Sequence, residues 1–148
     1  MKSGAINFHS QNIKFSLKNK SAIRKWILSV IEKEKHSSGE INYIFCEDKY
    51  LFSLNKKYLK HNTLTDIITF DYSTINHQPL TINHISGDIF ISIPRVKENA
   101  KKYNFSFEKE LHRVMIHGVL HLCGYKDKTP KEKTTMRQKE EEFLKIFR

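Results

Sequence analysis

The sequence predicts an α+β domain, on three observations. Apolar residues recur at helical spacing in some segments and cluster in short β-rich runs in others. The two patterns alternate along the first half of the chain. No repeat, low-complexity tract or Gly/Ser linker divides residues 1–148, which are read as a single domain. A chain of 148 residues with 39% hydrophobic content buries about 70% of its unfolded surface, enough for a core without a disulfide framework. About four strands and five helices are expected.

A short strand near Ile6 to Phe8 comes first. Ile23, Trp26, Ile27, Val30 and Ile31 then fall on one helical face, predicting a helix over 20–35. Gly39 breaks the chain before a strand from Ile41 to Cys46, and Asp48 is the expected cap of a helix whose apolar face is Leu51, Leu54 and Tyr58. Residues 66–70 and 87–93 read as two further strands separated by a polar loop, 71–86. Pro94 ends the second and opens a helix through Lys102, since a first-turn N–H has no helical partner to lose. Ser106 caps the next helix, which buries Leu111, Val114, Met115, Gly118 and Leu122 and stops at Gly124, a residue suited to the left-handed conformation. Thr129-Pro130-Lys131-Glu132 combines a capping box with proline at the first helical position, starting a last helix to about Ile146.

The 26 Lys and Arg against 16 Asp and Glu leave a formal charge of +10, which favours a polyanionic partner. The basic residues are scattered rather than gathered on one amphipathic helix, so nucleic acid is expected and a membrane surface is not. Cys46 and Cys123 are too few for a disulfide framework and form no paired metal motif. No apolar stretch suits a signal peptide or a membrane span, so a cytoplasmic location is expected.

The informative segment runs from His117 to Asp127. Two histidines four apart share a helical face, close enough for both imidazoles to reach one cation. Eight histidines in the chain also allow such a pair by chance, but Gly124 turns the chain back and brings Asp127 as a third candidate ligand. Two neutral histidines and a carboxylate leave a position for water, whose pKa a metal such as Zn²⁺ lowers toward ~7. Cys123 is a weaker candidate for a fourth ligand; burial is the simpler reading of a cysteine in an apolar run. A zinc peptidase would need a glutamate after the first histidine, where this chain has Gly118. Glycine at that position points to close approach by a backbone or substrate, or to helix packing.

These residues resemble the YbeY endoribonucleases, bacterial rRNA maturation factors of similar length. The resemblance rests on Leu54-Asn55-Lys56-Lys57-Tyr58, Thr65-Asp66-Ile67-Ile68-Thr69-Phe70, Gly87-Asp88-Ile89, Glu110-Leu111 and the segment from His117 to Tyr125, in the family's order. It spans most of residues 40–145. It implies a metal-dependent, single-strand-specific endoribonuclease of rRNA maturation and ribosome quality control, built on a small mixed four-stranded sheet packed with helices. One divalent ion per chain, Zn²⁺ in the first place, is implied, with single-stranded RNA, ribosomal RNA or the ribosome as partner. Neither a membrane nor a small-molecule cofactor is expected.

Two departures from the family pattern stand out. Asp127 replaces a third histidine, which keeps a ligand but adds negative charge and broadens metal choice. Leu59 replaces an arginine thought to serve cleavage, and a leucine cannot stabilise phosphate charge. Lys60 and His61 are the candidate catalytic substitutes. Lys56, Lys57, Lys60, Arg95 and Lys97 are candidates for phosphate contact, with Tyr58, Phe70 and Tyr72 available for base stacking or for the core. Asp66 and Asp88 either cap turns or orient a ligand imidazole, and Thr65 and Ser86 are equally open. An RNA-binding factor with a structural metal and weak or lost cleavage is the alternative; a zinc peptidase stands behind both.

Overall fold

The computed structural model describes residues 5–59, 65–72 and 84–147. Nine elements follow in order: β1 (Ile6–Ser10), α1 (Lys20–Lys33), β2 (Ser37–Cys46), α2 (Asp48–Tyr58), β3 (Ile67–Asp71), β4 (His84–Ser92), α3 (Ile93–Tyr103), α4 (Phe107–Leu122) and α5 (Pro130–Ile146). The strands form one mixed sheet in the order β1-β2-β4-β3, with β1, β2 and β4 parallel and β3 antiparallel on the edge. The α+β expectation holds, with four strands and five helices among the described residues.

Strand periodicity divides the sheet into two faces. Ile41, Tyr43, Phe45, Ile89 and Ile91 join the main core with α1, α3 and α4. On the other face Cys46 and Ile68 pack with Leu51 of α2, flanked by Phe70 and Phe90. Two buried polar groups tie the layers: the Tyr43 hydroxyl donates to the Met115 carbonyl at 2.9 Å, and the Trp26 indole to the Phe143 carbonyl at 2.9 Å.

The central element is α4, buried over most of its circumference from Leu111 to Leu122, which marks a helix inside the domain rather than on it. Gly118 lets it approach the sheet. A Cβ there would lie 2.9 Å from Ile89 Cγ2 and 3.1 Å from Ile67 Cδ1, so helix packing is what this glycine serves. The last turns of α4, with both histidines, are thereby laid beside edge strand β3.

Several expectations need correction. Gly39 lies inside β2, at the irregularity in register between Ser38 and Ile41, rather than before it. Glu47, not Asp48, stands at the start of α2 and makes no side-chain cap. The Asp48 carboxylate instead accepts from the Ser92 hydroxyl at 2.6 Å and from Arg95 at 2.9 Å, stapling α2 to α3. Tyr58 is 56% exposed, while Asn55 takes the buried place on α2. Strand β4 begins at His84, within the stretch expected to be loop.

Candidate metal centre and its cleft

The centre is built by the way α4 ends. Tyr125 N–H bonds the Leu120 carbonyl and Gly124 N–H the His121 carbonyl, each at 3.0 Å, the paired bonds of a Schellman motif. Gly124 has φ +106°, a conformation glycine adopts without strain. The reversal turns the Tyr125 carbonyl onto His121 Nδ1 at 2.9 Å and returns Asp127 to the helix end. His117 Nε2 and His121 Nε2 then lie 3.0 Å apart, with Asp127 Oδ2 at 3.2 Å and 3.4 Å from them.

Tautomers follow from the partners. His117 Nδ1 faces Glu140 Oε2 at 2.5 Å and His121 Nδ1 faces the Tyr125 carbonyl, and both oxygens can only accept. Each Nδ1 must therefore carry the proton. In the neutral imidazoles both Nε2 lone pairs then point at each other and at the Asp127 carboxylate. Three acceptors, all within 4.8 Å of one another, need a positive charge between them, and this donor set fits a divalent cation. The pKa shifts of the two rings run in opposite directions. Burial lowers the His117 pKa, but the hydrogen bond and charge of Glu140, with Asp127 and Asp66, outweigh it and raise the value; His121 goes down through burial and the neighbouring His117.

Behind His117 lies a buried ionic network. Arg113 donates to both oxygens of Glu110, at 3.1 Å and 2.5 Å, and to Glu140 Oε1 at 2.9 Å. Tyr125 is held from outside: its hydroxyl donates to Glu34 at 2.7 Å, and Lys139 pairs with Glu34 at 3.1 Å.

The centre opens into a cleft of about 590 Å³ whose walls include Leu59, Asp66, Thr69 and Lys128. A smaller hollow of about 210 Å³ on the α5 side is lined by Lys133 and Arg137 together with His117 and Asp127. Of the described residues lining the larger cleft, Lys128 is the one lysine or arginine.

Of the other sequence candidates, Thr65 and Asp66 line the cleft and most of the rest fall elsewhere. Lys56 and Lys57 are exposed on the last turn of α2, with Lys57 Nζ 5.2 Å from the Tyr58 ring centroid. Arg95 is drawn into its ion pair with Asp48, and Lys97 lies over the Phe107 ring at 5.7 Å. Lys60 and His61 lie outside the described residues. Asp66 lines the cleft but bonds Asn99 at 3.5 Å, not an imidazole. Asp88 points to the other side of the sheet from Gly87 and accepts from Asn42 and Tyr72, each at 3.1 Å. Thr65 donates locally to the Ile67 carbonyl at 3.2 Å, and the Ser86 carbonyl accepts from Tyr72 N–H at 3.0 Å. Tyr58 meets Phe70 edge-on at 5.9 Å. Cys123 stands outside the ligand cluster; burial pushes its thiol up to about 12.

Sequence reasoning missed Glu140, and it quoted Glu110 in a family motif without giving it a role. The available signal was a carboxylate on an apolar helical stripe: Glu140 lies between Met136 and Phe143, and all three are buried.

Fold and site together define a class, that of single-domain α+β proteins with a histidine–carboxylate centre suited to a divalent cation. The sequence profile of the family described as Endoribonuclease YbeY matches residues 5–148. Similar proteins include the "Endoribonuclease YbeY" of Flavobacterium johnsoniae, 51% identical over 96% of both chains, and that of Flavobacterium psychrophilum, 53% identical over 96% of both. A solution structure of a Thermotoga maritima protein shares the fold, with a TM-score of 0.63 and 24% identity over 95% of this chain and 87% of that one. The chain belongs to the YbeY endoribonuclease family.

Proposed function

We propose that this protein is a metal-dependent endoribonuclease that cuts single-stranded RNA, acting in the cytoplasm on ribosomal RNA in its maturation and in ribosome quality control. One domain carries the activity, and one divalent ion, Zn²⁺ in the first place, is held by His117, His121 and Asp127. The observation that carries this reading is the convergence of three acceptor atoms, His117 Nε2, His121 Nε2 and Asp127 Oδ2, at an open cleft. No helix among the described residues is long and apolar enough to cross a membrane.

When bound, such an ion supplies Lewis acidity, polarising a phosphoryl oxygen and acidifying water toward neutrality. The chain's own residues do the rest. Glu140 and the Tyr125 carbonyl hold the two imidazoles in register, and Asp127 contributes the negative charge that keeps a cation in place. Lys128, exposed at the rim of the cleft, offers its ammonium to a phosphate there. Lys56 and Lys57, exposed on the last turn of α2, are proposed phosphate contacts, with Lys60 next in sequence to Leu59. A cleft of about 590 Å³ has the volume of a small-ligand site and leaves room for an unpaired nucleotide splayed from its neighbours.

A second reading, RNA binding with weak or lost cleavage, has Leu59 in its favour. This apolar residue lines the cleft where the family pattern has an arginine. One experiment separates the two. Protein stripped by chelator and resupplied with single metals is offered structured and single-stranded RNA. Metal-restored cutting of the single strand is expected; RNA binding that persists while no metal restores cutting would establish the second reading.

A further inference from the structure

Glu140 and Glu110 are 2% and 0% exposed, and both pair with one arginine. Arg113 carries a single charge, and Glu110 already receives two of its hydrogen bonds, at 3.1 Å and 2.5 Å. A second buried carboxylate is therefore surplus to neutralising Arg113, and Arg137, whose side chain is 57% exposed, only approaches at 3.9 Å the same Oε1 that Arg113 holds. Leaving one charge unmatched in the interior is costly unless something positive stands close by. The free oxygen of Glu140 points at one group, His117 Nδ1, and through that imidazole at the candidate centre.

We infer that Glu140, anchored by Arg113, is the positioning residue that fixes His117 as the Nδ1–H tautomer with Nε2 aimed into the centre. The inference rests on the metal reading only for its consequence, cation affinity; the tautomer itself is a property of the chain. Glu140 sits in the middle of α5 and Arg113 one turn before His117 on α4, so the packing of these two helices sets the imidazole's direction. An imidazole bonded on one nitrogen to a carboxylate is also a stronger base on the other, which favours a cation there. His121 has only a backbone carbonyl on its Nδ1, so the two ligands are held by unequal partners.

The test uses the full chain and two readouts. Imidazole nitrogen NMR of metal-free protein, at a pH where the rings are neutral, reports the tautomer of His117. Competition with a chromophoric chelator reports the zinc Kd. Glu140→Leu is expected to lose the single tautomer and raise the Kd by ~10–100-fold, with the Arg113–Glu110 pair left intact to support folding. Glu140→Gln, whose amide oxygen still accepts from Nδ1, is expected to keep the tautomer and recover most of the affinity. An unchanged tautomer and Kd in Glu140→Leu, with only a lower Tm, would mean that Glu140 merely ties α5 to α4 and would overturn the inference. Should the leucine variant not fold, Glu140→Asp decides on the same two readouts, because it withdraws the carboxylate by one methylene while keeping its charge. Failure of wild-type protein to take up zinc would count against the metal reading, with the tautomer still deciding the role of Glu140.

Discussion

Single residues in this protein answer to their immediate neighbours, and three of them give sharp expectations. A Cβ at Gly87 would crowd the backbone carbonyl of Phe70 on the paired strand and the Leu122 side chain, and backbone cannot step aside cheaply. Gly87→Ala is expected to destabilise by ~1–3 kcal/mol, read as a lower urea midpoint with unchanged slope. His112, edge-on to Trp26 at 5.9 Å and to Phe147 at 4.9 Å, has its pKa pushed down from 6.5 by burial, against a smaller opposing pull from Glu108. A folded-state pKa below the unfolded one means that the unfolded chain takes the proton first as pH drops. The stability is thus present above about 6.5 and lost as pH falls through the folded value. In metal-free protein, His112→Phe should lose less stability than wild type between pH 7 and pH 5; equal losses would show that this ring is not a source of acid sensitivity. Asp127→Asn removes the one charged ligand, and its zinc Kd should rise by at least the ~10–100-fold that loss of an orienting partner costs. What was legible at this scale was what the chain states locally: His117, His121 and Asp127 are close in sequence, so helix periodicity and one glycine bring them together. Glu140 was not, because its role depends on α5 packing against α4 across 23 residues.

Elements show the same division between local and distant causes. The helix ends around the centre were readable because their signals act over four or five residues. Gly124 closes α4, and Thr129 opens α5 with a complete capping box, its hydroxyl accepting from Glu132 N–H at 3.1 Å while Glu132 accepts from Thr129 N–H at 3.0 Å. Asp127 is suspended between these two stops, so each should influence the centre. Gly124→Ala forces an ordinary residue to φ +106° and is expected to cost ~1–2 kcal/mol and to weaken zinc binding, since the Tyr125 carbonyl and Asp127 both follow that turn. Thr129→Ala should cost ~1 kcal/mol by the same denaturation assay. Where an element's chemistry is completed from elsewhere, local reading failed. Asp48 looked like a cap by sequence, yet Ser92 at the end of β4 and Arg95 in the first turn of α3 claim its carboxylate. Gly39 looked like a break, yet pairing with β4 carries the strand past it, because a parallel partner supplies hydrogen bonds that sequence cannot show.

At the scale of the whole molecule, the proposed function assigns the holding of RNA to the +10 charge and its cutting to the centre. Charge of this size acts through counterion release, so affinity for single-stranded RNA should fall steeply with salt, by a slope of about 0.7 per phosphate contact on logarithmic axes. Lys128→Ala should lower that slope by about one contact's worth and leave zinc content unchanged, measured by anisotropy titrations across salt concentrations; an unchanged slope would remove Lys128 from the RNA path. The mixed sheet serves the centre by giving α4 a flat face to lie on, with β3 at the edge beside the cleft. The most direct measurement is the fate of a circular single-stranded RNA, which has no ends to trim. Zinc-loaded wild-type protein is expected to linearise it, chelated protein and His117→Ala to leave it intact though still bound. Equal linearisation by wild type and His117→Ala, or by protein with and without chelator, would contradict the account.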